Sequence, residues 1–245
     1  MKLCAAQLSS ITGDIEGNIG RHAAFIRQAV AQGAALIVFP ELSLTGYAPS
    51  LARELATTPD DPRLDALQWL SDQHDLVICA GLPVTGAQLP RIGMVIFRPR
   101  QARSLYCKQR LHADELPWFS PGDGQALIHL GEHRLAPAIC YESMLPEHAD
   151  EAVAVGADCY LVSVAKSAAG IAAGQQHYPE VARRHAMPVL MSNCIGTVED
   201  FVTAGQSAAW NRQGECLGTL VDGQEGLVLL ELELERERVE IVTGL

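Results

Sequence analysis

The chain has 245 residues, of which 48% are hydrophobic and 19% charged, and this composition excludes a protein that is disordered over most of its length. Its 18 basic residues against 29 acidic ones give a net charge of −11, which repels polyphosphate, so we expect no nucleic-acid partner. The length suits one domain, and no change in composition marks a second, so we expect a single domain over residues 1–245.

The cysteines and the N-terminal segment bear on the cellular location. Seven cysteines, an odd number without a Cys-x-x-Cys pair, indicate reduced thiols instead of disulfides or a zinc site. The first residues turn polar too early for a signal peptide, and no apolar run approaches the ~20 residues that span a bilayer. We therefore expect a cytoplasmic protein that does not contact a membrane.

The first half of the chain predicts strands that alternate with helices. Asn18 is positioned to cap a helix that Gly33 ends, and this helix lies between the first two predicted strands as a β-helix-β unit. A further helix is predicted over 62–74. Runs rich in branched apolar residues predict strands at 2–9, 35–39, 76–82, 94–98 and 102–108.

The second half continues the alternation and becomes mostly β from Gly205 onward. Helices are predicted over 145–155 and 175–185, and strands over 126–130, 135–139, 159–165 and 189–193, with two or three more near the C-terminus. Two sheets packed on each other, each covered by helices, would accommodate this many strands, and a single doubly wound sheet also fits.

Two charged residues follow predicted strands. Glu41 comes directly after an apolar strand, where partial burial would raise the pKa of its carboxyl group toward that of a useful base. Lys108 ends another strand, where its cation would stabilise a developing oxyanion. Taken separately, each residue is more simply interpreted as a solvated charge at a strand end.

Cys140 ends an apolar strand just before a predicted helix. A cysteine at such a turn lies near backbone N–H groups that lower the pKa of a thiol and can also bind an oxyanion. The geometry is similar in logic to a nucleophile elbow. An inert buried thiol is the alternative, and it is our interpretation of the other six cysteines.

These three segments together, in this order along the chain, resemble the signature segments of the carbon–nitrogen hydrolase (nitrilase) superfamily, whose catalytic triad is Glu-Lys-Cys. The resemblance extends over nearly the whole chain. It rests on Phe39-Pro40-Glu41, Lys108-x-x-Leu111 and Ile139-Cys140-Tyr141-Glu142, and on the later segments 193–196, 204–207 and 211–214.

The resemblance implies a role for each matching residue. Glu41 would be the general base and later the acid, Lys108 the cation facing the tetrahedral intermediate, and Cys140 the nucleophile. The backbone N–H of Tyr141 would be the second oxyanion donor. Many members carry a second glutamate ahead of a Pro-Gly turn, which Glu115 matches here, although the aspartate before it competes for this assignment.

The resemblance also implies a fold and an activity. The fold would be an α/β four-layer α-β-β-α sandwich, and the enzyme would hydrolyse a small linear amide through a cysteine thioester, releasing ammonia or an amine. No metal or organic cofactor is implied. A homodimer or larger homo-oligomer is implied as well, often joined through the helix after the nucleophile, here about 145–155.

Substrate-binding residues are less sharply indicated. Lys166 falls where family members often contact the substrate and would bind a substrate carboxylate, while Tyr47 is a candidate for the pocket wall. Solvated or structural roles explain both equally well. Many amidase-type members carry Arg-Phe-Pro-Glu after the cysteine segment, whereas this chain keeps only Pro146-Glu147, so the resemblance leaves the subgroup undefined.

Three alternatives remain open. An N-carbamoyl amidohydrolase or a nitrilase would use the same triad. A papain-like hydrolase would pair Cys140 with a histidine, but would leave Glu41 and Lys108 unexplained. A catalytically silent member would bind only a small molecule or a protein, and the intact triad argues against it.

Overall fold

Two β-sheets form the centre of the protein in the computed structural model, which describes residues 1–233 and 237–244. The first sheet has seven strands and the second has six. The strands are β1 Lys2–Gln7, β2 Leu36–Val38, β3 Val77–Val84, β4 Arg91–Phe97, β5 Ser104–Cys107, β6 Ile128–Leu130, β7 His133–Ile139, β8 Cys159–Val164, β9 Val189–Asn193, β10 Ile195–Thr197, β11 Val202–Ala204, β12 Ala208–Trp210, β13 Cys216–Thr219, β14 Gly226–Leu232 and β15 Glu237–Thr243.

Each sheet has a parallel centre and antiparallel edges. The first sheet has the order β15-β14-β1-β2-β3-β4-β5, and the second has the order β13-β12-β9-β8-β7-β6. Strands β1, β2 and β3 run parallel in the first sheet, as do β7, β8 and β9 in the second. Strands β10 and β11 form a separate hairpin.

Helices cover the outer face of each sheet. The helices are α1 Ile15–Ala31, α2 Ala52–Leu55, α3 Asp65–His74, α4 Pro146–Ala154 and α5 Ala168–His185. The short α2 is the exception to this outer position, since its Ala52 belongs to the apolar cluster between the sheets. Buried side chains of α1 and α3 pack with the first sheet, and those of α4 and α5 pack with the second. A third apolar cluster, which includes Leu3, Val38, Leu135 and Leu161, lies between the sheets. The predicted four-layer sandwich is therefore confirmed, and the alternative prediction of a single doubly wound sheet is wrong.

The structure corrects two helix boundaries. Asp14, not Asn18, caps α1, since its side chain accepts a hydrogen bond from Gly17 N at 2.9 Å. Asn18 lies inside α1, where its amide bonds the backbone of Ile11 and Leu44. Helix α5 begins at Ala168, seven residues before the predicted start at 175. The small residues of its first two turns lack the apolar periodicity on which the prediction depended.

The strand directions bring the candidate residues to one edge of the sandwich. Glu41 follows β2, Lys108 follows β5 and Cys140 follows β7. Strand β5 pairs antiparallel with β4, which pairs antiparallel with β3, so β2, β3 and β5 end on the same side. Two hydroxyl groups join the sheets near this edge. Ser163 donates to the carbonyl of Phe39 at 2.8 Å, and Ser192 donates to the carbonyl of Ala6 at 2.6 Å.

Over residues 1–233 and 237–244, none of the helices combines the length and apolar character that crossing a bilayer requires.

Replacing Leu161 by alanine tests the core between the sheets. Leu161 is fully buried there, so Leu161→Ala should lower the free energy of unfolding by about 2–5 kcal/mol, because it leaves a cavity between two rigid sheets. Denaturant unfolding measures the change. Leu116 is 59% exposed, and Leu116→Ala should stay within about 0.5 kcal/mol of wild type. Equal losses in the two variants would contradict this assignment of the core.

Candidate active site

Glu41 lies in a tight turn directly after β2. The turn is closed by hydrogen bonds from Ser43 N to Pro40 O at 3.1 Å and from Thr45 N to Leu42 O at 3.0 Å. Leu42 has a φ of 52°, in the left-handed region that non-glycine residues rarely adopt. This turn also lies directly on β3, because a Cβ added to Gly81 would come within 2.5 Å of Leu42 N. The turn therefore fixes the backbone that carries Glu41, and the Glu41 side chain is buried.

Lys108 is fully buried and donates two hydrogen bonds to carboxylates. Its Nζ lies 2.8 Å from Glu41 Oε1 and 2.6 Å from Glu115 Oε1. The Lys108 backbone is held by Ile92 O, 2.9 Å from Lys108 N, and by Gly122 N, 2.7 Å from Lys108 O. An ammonium group has three N–H donors, so one remains for a substrate oxygen.

Glu115 is the second buried carboxylate of the site. Besides Lys108, it accepts a hydrogen bond from Tyr47 OH at 3.2 Å, and its Oε2 accepts one from His112 N at 2.7 Å. The competing residue, Asp114, has a side chain that is 70% exposed and pairs instead with His112 Nδ1 at 2.6 Å. The structure thus places Glu115, and not its neighbour, against Lys108.

Cys140 forms the elbow between β7 and a 3-10 helical turn over Cys140–Met144. Its φ of 49° is in the left-handed region, which costs roughly 1–3 kcal/mol for a residue with a Cβ. The surrounding contacts maintain this conformation. Ser143 Oγ donates to Cys140 O at 2.6 Å and also contacts Tyr178 OH at 2.8 Å. The elbow leaves the Cys140 thiol facing a cavity.

The cavity has a volume of about 300 Å³ and joins residues from both sheets. Lys108, Glu115 and Cys140 contribute to it, as do all three residues predicted to bind substrate. The further lining residues are His112, Asp114, Ala165, Ser167, Gly170 and Phe201, and the predicted substrate-binding ones are Tyr47, Tyr141 and Lys166.

Burial and neighbouring charges set the protonation of the two buried charged groups. Burial raises the pKa of Glu41 to about 7, with the Lys108 cation opposing the rise and the Glu115 carboxylate adding to it. Burial alone would lower the pKa of Lys108, but the negative charges of Glu41 and Glu115 and the hydrogen bond to Glu115 outweigh it and hold this pKa above its usual value. Lys108 is therefore a permanent cation, while Glu41 exchanges a proton near neutral pH.

Cys140 is a protonated thiol in the resting site. Burial raises its pKa to about 12, the Glu41 charge adds to the rise, and the Lys166 and Lys108 cations oppose it. The thiol therefore needs a base to become nucleophilic. One Glu41 oxygen, Oε2, is buried without a hydrogen-bond partner among the described residues and is free to take a proton.

The Cys-His alternative finds no support in this arrangement. Within the described ranges, the Cys140 sulfur has one hydrogen-bond contact, to Ala165 O at 3.9 Å, and no imidazole nitrogen bonds to it. His177 Nε2 contacts Ser143 O at 3.1 Å, and the ring lines a different cavity between α4 and α5. His148 is fully buried among tyrosines.

The sequence predicts no role for two further residues, one on the cavity wall and one buried beside the cysteine elbow. Phe201 lies beside the β10–β11 hairpin, packs edge-on against Tyr47 with ring centroids 5.9 Å apart, and lines the cavity. Glu142 belongs to the recognised cysteine segment, but the sequence predicts no role for it. It is fully buried and accepts hydrogen bonds from four donors. No local pattern indicates Phe201, whereas an acid two residues after the cysteine was a visible signal for Glu142.

The chain is similar to known proteins over nearly its whole length. The family model described as carbon-nitrogen hydrolase matches residues 2–239. An amidase structure from Nesterenkonia sp. AN1 superimposes with a TM-score of 0.87 and 23% identity, over 96% of this chain and 94% of that one, and it supports the fold.

The curated relatives are matched over only part of their own length. A glutamine-dependent NAD(+) synthetase from Aquifex aeolicus is 24% identical over 96% of this chain and 42% of its own length. A nitrilase from Pyrococcus abyssi is 27% identical over 64% of this chain and 62% of its own length. The chain thus spans less than half the length of the NAD(+) synthetases it matches.

The Glu41 pKa of about 7 predicts how the reactivity of Cys140 depends on pH. Only the ionised carboxylate takes the thiol proton, so the rate of Cys140 alkylation by iodoacetamide should rise with pH with a midpoint near 7. Glu41→Gln should remove this step and slow alkylation at pH 7.5 by about 100-fold. Peptide mass mapping after timed quenching measures the rate, and exposed Cys216 is the reference thiol in each sample. The same step in Glu41→Gln would contradict the assignment.

Proposed function

Because the chain belongs to the carbon-nitrogen hydrolase family, we propose that it hydrolyses the carbon–nitrogen bond of a small linear amide through a thioester on Cys140. One observation carries this proposal. A single ammonium, on Lys108, is shared by the buried carboxylates of Glu41 and Glu115 at the cavity that contains the Cys140 thiol. This arrangement supplies a base, a fixed cation and a nucleophile at one place.

The first half-reaction forms the thioester. The Cys140 thiol transfers its proton to Glu41 as its sulfur bonds to the amide carbon. The carbonyl oxygen becomes an oxyanion that receives hydrogen bonds from the free N–H of Lys108 and from Tyr141 N. Glu41 then gives its proton to the amide nitrogen, the carbon–nitrogen bond breaks, and ammonia or an amine leaves.

The second half-reaction regenerates the enzyme. Water gives a proton to Glu41 as its oxygen bonds to the thioester carbon, and a second oxyanion meets the same donors. The carbon–sulfur bond then breaks, the sulfur recovers the proton from Glu41, and the carboxylic acid leaves. Glu115 keeps Lys108 in place through both halves, because it accepts a second hydrogen bond from the ammonium that Glu41 also binds.

Nitriles and N-carbamoyl compounds would use the same three groups, so they are the alternatives to an amide. A cavity of about 300 Å³ suits a molecule of few heavy atoms. Relatives named for glutamine-dependent synthesis and for nitrile hydrolysis add glutamine and small nitriles to the compounds worth testing.

Lys166 favours a substrate that carries a carboxylate. The residue is only 9% exposed, lines the cavity and lowers the pKa of Cys140 by its charge. Its backbone is fixed, since Lys166 N donates to Asn193 Oδ1 at 2.9 Å and Lys166 O accepts from Asn193 Nδ2 at 3.1 Å. In the described part of the chain, the lysines in ion pairs are Lys2 and Lys108. A nearly buried cation without a counter-ion would gain most from a substrate anion.

The setting of the enzyme is also a proposal. Seven cysteines that form no disulfide across the described residues support a reducing compartment such as the cytoplasm. The family resemblance supports a homodimer or larger homo-oligomer that uses α4. The chain matches only part of the NAD(+) synthetases, so the proposal is limited to amide cleavage and does not include NAD(+) synthesis.

Ammonia release from a panel of compounds tests the proposed reaction. The panel contains formamide, propionamide, glutamine, succinamic acid, an N-carbamoyl amino acid and a small nitrile. Cys140→Ala should abolish release, and Glu41→Gln should lower kcat by about 10²–10⁴-fold because the proton shuttle is lost. Cys159 is buried between the sheets, and Cys159→Ala should keep activity within about twofold as the matched control. Release by Cys140→Ala would contradict the mechanism.

A charge-deleting variant tests the role of Lys166. Lys166→Met should raise KM for succinamic acid about 10–100-fold, the loss expected when one hydrogen bond to a charged group is removed. KM for neutral propionamide should change less than about threefold, and Lys166→Arg should retain most of the affinity for the acid. Steady-state kinetics on both substrates measures the difference. Equal changes for the neutral and the anionic amide would show that Lys166 does not select a carboxylate.

A further inference from the structure

We propose that Glu142 is a positioning residue that holds Lys108 and Cys140 in register across the two sheets. The inference rests on the proposed function, since it assumes that the Cys140 thiol is the nucleophile. Glu142 lies in the 3-10 turn after β7, is fully buried, and does not line the cavity. It therefore acts through the backbone and not on the substrate.

The two oxygens of Glu142 bind different parts of the chain. Oε1 accepts from Ile139 N at 2.7 Å and from Tyr106 OH at 2.7 Å. Oε2 accepts from Gln109 N at 2.6 Å and, more weakly, from Arg110 N at 3.3 Å. All four partners donate, so the geometry suits an ionised carboxylate that serves only as an acceptor.

The two backbone amides bound most closely are one residue away from the reacting groups. Gln109 follows Lys108 directly, and Ile139 precedes Cys140 directly. Strand β5 is the edge of the first sheet and β7 belongs to the second, so no strand hydrogen bonds join the two segments. The Glu142 carboxylate bridges them, because Oε1 accepts from Ile139 N and Oε2 from Gln109 N, while Oε1 also binds the Tyr106 side chain of β5.

A buried chain of polar side chains leads away from this bridge toward the second sheet. Tyr106 OH contacts His148 Nε2 at 2.9 Å, and His148 Nδ1 contacts Tyr160 OH at 2.7 Å. With Tyr160 as donor to Nδ1 and Nε2–H as donor to Tyr106, every member of the chain points its proton toward Glu142. The chain extends from β8 through α4 to β5 and reaches the carboxylate through the Tyr106 hydroxyl, so Tyr160 is separated from Glu142 by two intervening side chains.

The charge of the buried Glu142 carboxylate is better explained by positioning than by stability. A carboxylate in the interior is costly to desolvate, and an apolar side chain of the same size would often serve packing better. Only an anion with two acceptor oxygens can bind both backbone amides at once, that of Gln109 after β5 and that of Ile139 in β7. Misplacing reacting groups by about 1 Å can cost about 100-fold in rate, so the register matters more for reaction than for folding.

Variants of Glu142 break the bridge in two ways. Glu142→Gln keeps the size but has one acceptor oxygen and an NH₂ group, so one set of amides loses its partner. Glu142→Asp keeps the charge but is shorter by one methylene, and it provides a second variant if the first folds poorly. Tyr160→Phe is the control, because it removes a buried hydroxyl of the same network without touching either backbone amide.

The measurement is the rate of Cys140 alkylation by iodoacetamide, divided by the rate at exposed Cys216 in the same sample. It requires no amide substrate, so it stays informative if the panel shows no turnover; such silence would count against the proposed function and not against the bridge. Thermal melting confirms that each variant is folded. Where turnover is found, kcat and KM are measured as well.

The bridge predicts that Glu142→Gln or Glu142→Asp, whichever is folded, lowers the alkylation ratio about tenfold or more, while Tyr160→Phe stays within about twofold. It also predicts that kcat falls and KM stays within about threefold, because the cavity wall is unchanged. An unchanged or increased ratio in a folded Glu142 variant would overturn the proposal. So would an equal decrease in Tyr160→Phe, which would assign Glu142 a general structural role.

Discussion

The buried ammonium of Lys108 is the constraint on which the rest of the site depends. A cation without access to water is tolerated only where carboxylates meet it at hydrogen-bond distance, and here Glu41 and Glu115 do so from two separate segments. Three stretches of chain must therefore converge at one edge of the sandwich. The resulting cluster holds two acids against one base, and this imbalance, together with burial, keeps the pKa of Glu41 near neutrality.

The backbone around this cluster is held in conformations that the local sequence alone does not favour. Cys140 and Leu42 both have positive φ, and each is enclosed by hydrogen bonds from neighbouring residues. Such strain persists only where packing overdetermines the conformation. Here the packing is reinforced by hydrogen bonds from the buried hydroxyls of Ser163 and Ser192, which join the two sheets. The Glu142 carboxylate also binds the backbone next to Cys140. The reacting groups thus rest on strands and closed turns, which suits chemistry that depends on preorganisation.

In the proposed mechanism, different parts of the molecule carry out the reaction and select the substrate. The proposed reacting groups follow β2, β5 and β7, whereas the outer wall of the cavity is formed by Tyr47, Phe201 and Lys166 from loops and a hairpin. Loops can change without disturbing the strands that they connect, so one reacting centre can act on different amides. In this chain the wall contributes Lys166, which forms no ion pair with the residues that the structure describes, and for this reason the proposed substrate carries a carboxylate.

The sequence by itself determined the alternation of strands and helices, because apolar periodicity is local. It indicated Glu41, Lys108 and Cys140 as candidates, because each follows an apolar strand within a recognisable run. It also indicated Glu115 but left the aspartate beside it as a competitor. Only the tertiary structure decided between these two acids, because packing determines that Glu115 points inward to Lys108 while its neighbour stays exposed. The cavity position of Phe201, the inward placement of Asn18 and the bridge made by Glu142 likewise depend on contacts between segments distant in sequence. Such contacts leave little trace in local spacing, because they are fixed by how the two sheets pack.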